Sequence, residues 1–177
     1  WLEFASHSHK ETPTEPYIFC YFLGSREDIR KEAAKLSMHT GFKIVIMRHM
    51  DEYVPADETI GDYAPYDINA WDFVKLLSNA AYVCTDSFHG TIFSILTHRK
   101  FTTFYRVNPK RGNSTHSRID SLLTLFQLTD RKFNGDILAI KNEIDYAKVD
   151  NALNTYRQKS LDFFKKALAL SNTQTII

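Results

Sequence analysis

The residues best suited to chemistry stand together in Thr85-Asp86-Ser87-Phe88-His89-Gly90-Thr91. His89 is the one group in this run that titrates near neutral pH, so it could hold or move a proton. Asp86 or Ser87 can cap a helix starting here, and the open N–H groups of a helix's first turn attract anions. Gly90 would let a ligand come close to the backbone. The plainer alternative is a helix cap beside a packed histidine.

The charge pattern points to an anionic ligand. Between Ser87 and Ile119 there is no Asp or Glu, yet Arg99, Lys100, Arg106, Lys110, Arg111 and Arg118 fall there. The 177-residue chain carries only +1 overall, so the remainder is net acidic. Arg99 and Lys100 precede an apolar run and read as solvated surface at its amino end. Arg106, Lys110, Arg111 and Arg118 follow that run's carboxyl end, on the edge expected to carry His89. Guanidinium groups bind phosphate and carboxylate with two parallel hydrogen bonds. A solvated basic loop is the alternative.

Several chemistries are excluded or weakened. The glycines stand at 24, 41, 61, 90, 112 and 135, so neither a dinucleotide fingerprint nor a P-loop is present. There is no C-x-x-C or H-E-x-x-H. His7 and His9 with Glu3 and Glu11 could chelate a metal, but they lie in a stretch that reads as a mobile linker. Ser87 and His89 are too close in sequence to be taken as a nucleophile–base pair. The near-neutral charge argues against a nucleic-acid partner, and the aromatics fall in core patterns rather than as stacking platforms.

The elements that must position these residues follow from hydropathy. Tyr17 to Leu23 is a continuous apolar run, as in a parallel strand covered on both faces. Ser25 with Asp28 has capping-box spacing, and Ile29, Ala33 and Leu36 share one helical face up to a C-cap at Gly41. Lys43–Met47, Ala81–Thr85 and Phe101–Tyr105 read as further strands, with 48–66 irregular. Helices are expected before Ala81, from an Asp67 or Asn69 cap, and over 91–97, 118–128 and 145–170. This order predicts an α/β fold, a Rossmann-like open, mostly parallel sheet with helices on both faces and ligands at the strands' carboxyl ends. Cys20 and Cys84 lie in apolar runs and read as buried free thiols in a reducing compartment. No apolar run is long enough to span a bilayer, and with no leader pattern a cytoplasmic location is expected. Residues 1–16 read as an interdomain linker or remnant of a longer chain, 17–131 as the ligand-binding domain and 132–177 as a helical extension.

The segment Val83-Cys84-Thr85-Asp86-Ser87-Phe88-His89-Gly90-Thr91-Ile92-Phe93-Ser94 resembles the hallmark of the polysaccharide pyruvyl transferase family. Tyr17–Leu23, Asp72-Phe73-Val74 with Leu77–Ala80, Lys100-Phe101, Asn113–Arg118, Ser121–Leu123 and Leu128–Arg131 resemble its surrounding blocks. The likeness covers about 17–131. It departs at 63–67, which lacks a Gly-Pro step often found there, and fades beyond 131.

The resemblance implies the C-terminal half of a two-domain, GT-B-like enzyme. Such enzymes move a pyruvyl group from phosphoenolpyruvate onto two sugar hydroxyls as a ketal, releasing phosphate, in bacterial exopolysaccharide synthesis. It implies His89 as the catalytic residue and Asp86, Ser87, Phe88, Gly90, Thr91, Arg106, Arg111 and Arg118 as substrate-binding, with no metal or cofactor. The implied partners are phosphoenolpyruvate, a sugar or lipid-linked oligosaccharide acceptor, and an N-terminal domain across the cleft. This half alone is expected to be inactive. Two other functions fit the same fold. One is the nucleotide-sugar domain of a GT-B glycosyltransferase, though the Glu-x7-Glu spacing of many such domains occurs only at Glu3 and Glu11. The other is a non-catalytic anion- or sugar-phosphate-binding module.

Overall fold

The computed structural model describes residues 1–49, 51–107, 116–140 and 143–173, with side chains through 168. Four strands, β1 (Tyr17–Tyr21), β2 (Lys43–Met47), β3 (Tyr82–Thr85) and β4 (Lys100–Thr103), form one sheet in the order β2-β1-β3-β4. Every pairing is parallel, with Ile18 opposite Tyr82 and Cys20 opposite Cys84. The strand order reverses between β1 and β3, and in open α/β sheets ligands collect at the carboxyl ends flanking such a point.

Alternation along the strands sorts the core into two layers. Tyr17, Phe19, Val45, Val83 and Phe101 pack with Leu76 and Leu77 of α4 (Ala70–Asn79) and Ile95 of α5 (Phe88–Leu96). Ile119 and Leu123 of α6 (Ser117–Leu125) and Val149 of α7 (Tyr146–Thr173) complete this layer. Ile18, Cys20, Ile44, Ile46 and Cys84 face Ile29, Ala33 and Leu36 of α2 (Glu27–Thr40) and Ile137 of the 3-10 turn Ile137–Ala139. The expected α/β sheet with helices on both faces is the observed architecture. Both cysteines are free and buried.

Each outer edge of the sheet meets one further residue. Beyond β2, Tyr63 bridges to Val45, donating its N–H to the Ile44 carbonyl and accepting from the Ile46 amide. Beyond β4, Lys132 bridges to Thr103, and the Phe133 amide donates to the Thr103 carbonyl at 2.9 Å.

Local differences from the sequence reading have local causes. β1 stops at Tyr21 rather than Leu23, because the Leu23 and Gly24 amides turn away to the Asp86 carboxylate. The Ser25–Asp28 capping box does not form. Arg26 precedes α2 and its guanidinium holds Asp28 and the Tyr105 carbonyl. Gly41 does end that helix, at φ 73°. The stretch read as irregular contains α3 (Pro55–Ile60), with proline in its first turn, where a missing N–H costs nothing. There Asp57 is buried against the fully buried Arg30, which also donates to the Gly24 carbonyl at 2.8 Å. Asn69, not Asp67, caps α4 in a reciprocal box with Asp72.

The stretch 1–16, read as a linker, holds α1 (Leu2–Ser6) laid against α4. The buried Ser8 hydroxyl donates to Asp72 at 2.5 Å, and Lys75 donates to the Ser8 carbonyl at 3.1 Å. Among the described residues no helix is long and apolar enough to cross a membrane. None of their His, Cys, Asp or Glu side chains gather in a group of three or more that could hold a metal ion.

Candidate active site

Each motif residue has a distinct task at the carboxyl edge of the sheet. Asp86 follows β3 and is 2% exposed. Its carboxylate accepts from the Leu23 amide at 2.6 Å and the Gly24 amide at 2.9 Å, clasping the β1–α2 turn across the reversal point. Burial pushes the Asp86 acid up from its ordinary range, while these two amides, Arg106 and Arg30 pull the other way. Gly24 is required for the clasp. A Cβ there would stand 2.6 Å from the Arg106 side chain and 3.0 Å from the carboxylate.

Ser87 is the cap of α5, its hydroxyl accepting from the Gly90 amide at 3.3 Å. The sequence left the cap open between Asp86 and Ser87; Asp86 is spent on the clasp. Gly90 turns its bare side to β3 rather than outward, since a Cβ would fall 2.4 Å from Thr85 Oγ1. Thr91 is buried, donating to the Ser87 carbonyl at 2.9 Å and sharing a hydrogen bond of 2.9 Å with Thr103. Ser87, Gly90 and Thr91 therefore pin α5 to the sheet; Phe88 is half-buried against the core, and His89 is exposed.

Two hollows flank this helix end. On one side His89, exposed, lines a cavity of about 390 Å³ walled by Tyr21, Met47, Phe73 and Phe93, the start of α4, and Trp1 and Phe4. The aromatic rings meet edge to face, Tyr21 with Phe73 at 5.0 Å and Trp1 with Phe93 at 4.9 Å. On the other side Arg106 and Arg118 converge with His116, Phe88 and Asp86 on a cavity of about 90 Å³. The Arg118 guanidinium lies 5.3 Å over the Phe88 ring. Arg111 lies outside the described residues.

A polar network supports the basic hollow. His116 is buried, stacks on Tyr105 at 3.9 Å, and its Nε2 lies 3.1 Å from the Val107 carbonyl. The Tyr105 hydroxyl contacts both Asp120 oxygens at 2.7 and 2.8 Å, and Lys132 reaches the hydroxyl at 3.0 Å and Asp120 at 3.1 Å. Burial pushes the Asp120 acid up, but Tyr105 and Lys132 outweigh it and leave it below its ordinary value. Sequence reasoning missed His116, Tyr105, Asp120 and Lys132. Only the absence of acids from 87 to 119 hinted at this edge, and nothing in the spacing joined Lys132 to Tyr105. Arg99 and Lys100 lie at the amino edge, where Lys100 pairs with Glu143 at 3.2 Å.

A family model described as polysaccharide pyruvyl transferase matches residues 2–108, more than half of the chain. The chain belongs to the polysaccharide pyruvyl transferase family. The matched span takes in all four strands, α5 and Arg106, and it begins within the stretch read as a linker. Among solved structures the chain is similar to a glycotransferase of kitacinnamycin, at 12% identity and a TM-score of 0.45, over 82% of this chain and 37% of that one. The chain thus spans little more than a third of that structure's length. No curated protein matches it.

Proposed function

We propose that this chain is the donor-binding part of a pyruvyl transferase that takes phosphoenolpyruvate and forms a pyruvate ketal on a sugar. The observation that carries this reading is the convergence of Arg106, Arg118 and His116 on a small cavity at the amino end of α5, with His89 one residue beyond Phe88. Phosphoenolpyruvate carries a phosphate and a carboxylate. Two guanidinium groups and the outward amides of a helix end suit both. The cavity has room for one such anionic group, and in this reading the rest of the donor reaches around the end of α5 to the hollow that His89 lines.

In this scheme His89 protonates the methylene carbon, leaving the central carbon cationic. One sugar hydroxyl attacks that carbon and its proton returns to the imidazole. The bond from the central carbon to the phosphate oxygen breaks, with the electron pair leaving on phosphate. A second hydroxyl closes the ketal and its proton leaves with phosphate. Arg106 and Arg118 hold the departing charge. The apolar walls of Tyr21, Phe73 and Phe93 offer faces to a sugar ring beside His89. A further domain across the cleft completes the acceptor site, the acceptor is a sugar or lipid-linked oligosaccharide of cell-surface polysaccharide synthesis, and the reaction runs in the cytoplasm.

Amide NMR of this chain titrated with phosphoenolpyruvate, inorganic phosphate and a UDP-sugar tests the donor assignment. Shifts at 87–91, 106 and 116–118 are expected with phosphoenolpyruvate, more strongly than with phosphate. A response confined to the UDP-sugar would replace it with a nucleotide-sugar reading, and no response at these residues would remove the donor site from this chain.

A further inference from the structure

Tyr21 ends β1 at the carboxyl edge, where the strand order reverses. Alternation sets its side chain on the face of Tyr17 and Phe19, toward α4 and α5. The ring is half-buried, meets Phe73 edge to face and lines the hollow that His89 also lines. Its hydroxyl is uncommitted. Of the tyrosines that are buried or half-buried, Tyr17 donates to the Leu76 carbonyl, Tyr82 bonds to Thr102, Tyr105 to Asp120 and Tyr146 to the Arg99 carbonyl. Tyr21 is the one of this set whose hydroxyl has no hydrogen-bond partner among the described residues. Burial pushes this phenol up from its ordinary value, Asp86 adds to the effect and Arg106 opposes it. The group therefore keeps its proton at neutral pH and can donate it to a hydrogen bond.

The hollow is short of such donors. No Lys or Arg is among its described lining residues. Its other hydrogen-bonding side chains, those of Trp1, Asn69 and His89, are exposed, and Asn69 already gives its Oδ1 to the cap of α4. We infer that the Tyr21 hydroxyl donates to the carboxylate of phosphoenolpyruvate. This role rests on the pyruvyl transfer reading, in which Arg106 and Arg118 hold the phosphate and the rest of the donor reaches this hollow. Phosphate and carboxylate hang on one carbon of that donor, so neighbouring walls must meet them. Arg106 is near enough for its charge to act on the phenol, while the Asp86 carboxylate is turned to the Leu23 and Gly24 amides. A hydroxyl bonded to a carboxylate makes a short, strong hydrogen bond. It would select a phosphate ester that carries a carboxylate over one that does not.

Amide NMR of this chain with phosphoenolpyruvate and with methyl phosphate, a monoester without the carboxylate, tests it. The wild type should prefer phosphoenolpyruvate. Tyr21→Phe should weaken phosphoenolpyruvate binding by about tenfold or more and leave methyl phosphate within about twofold. The ring contact with Phe73 is kept in that variant and no described group loses a partner, so Tm should not move. In the full-length enzyme the same substitution should raise KM for phosphoenolpyruvate by about tenfold and change kcat less. A preference that survives in Tyr21→Phe, or one lost together with a fall in Tm, overturns the inference and leaves the donor reading standing. A KM unmoved in the full-length enzyme overturns it too, and gives the hydroxyl to the further domain. Absence of any preference in the wild type overturns the inference and the donor reading together.

Discussion

At the scale of single residues, the motif divides its labour between holding and presenting. Asp86 gives each of its oxygens to an amide of the β1–α2 turn, and it also borders the small cavity that Arg106 and Arg118 line. His89 is exposed, and in the proposed scheme it is the acid. With His89→Gln the ring's hydrogen bonding is retained in part and its proton transfer is lost. Donor affinity by NMR should change less than about threefold, while phosphate release by the full-length enzyme with a saccharide acceptor should fall by about 10²-fold or more. Turnover that survives the substitution would strip His89 of the acid role and leave it as a binding group. Asp120 gives a pH prediction. Its folded-state acidity lies below the ordinary value, so its stabilisation is fully present above the unfolded pKa, about 3.9, and is lost as pH falls through the folded value. Asp120→Asn should therefore flatten the decline of Tm below about pH 4. An acid limb as steep as the wild type's would show that Asp120 does not contribute to it.

At the scale of elements, α5 is fixed by a contact that only glycine permits. Gly90→Ala drives a methyl group into Thr85, a strand residue with no room to yield because its hydroxyl donates to the Tyr21 carbonyl at 2.6 Å. The expected loss is about 1–3 kcal/mol by urea denaturation. A stability equal to the wild type's would mean that α5 can lift from β3 without cost. Legibility in the sequence followed the same division. Strands β2 and β3 and the Gly41 stop were readable because apolar runs and left-handed caps are local signals. The α5 start was readable from its cap, left open between Asp86 and Ser87, while the apolar run marked the helix only over 91–97. Helix α1 was unreadable, since five residues hold no helix by propensity and this one exists through its seat on α4. His116 and Lys132 were missed because they reach Tyr105 only through the folded return of the chain past β4.

At the scale of the whole molecule, the pairing of Cys20 with Cys84 across the central strands makes a probe of cooperativity. Burial and the neighbouring Cys20 push the Cys84 thiol well up, so it stays protonated at neutral pH. Neither thiol should react with Ellman's reagent in the native state, and both should appear together across the urea transition. Early reaction of one thiol would show that β1 or β3 opens before its neighbour. The bridges at Tyr63 and Lys132 carry a different consequence. An exposed edge strand is a template on which further chains polymerise. Here single residues interrupt both ladders, so solutions concentrated for crystallisation or storage should resist fibril growth through the sheet. Crowded chains should meet through helices instead, and the turbidity of aged samples should respond to changes on α7 sooner than to changes in β2 or β4.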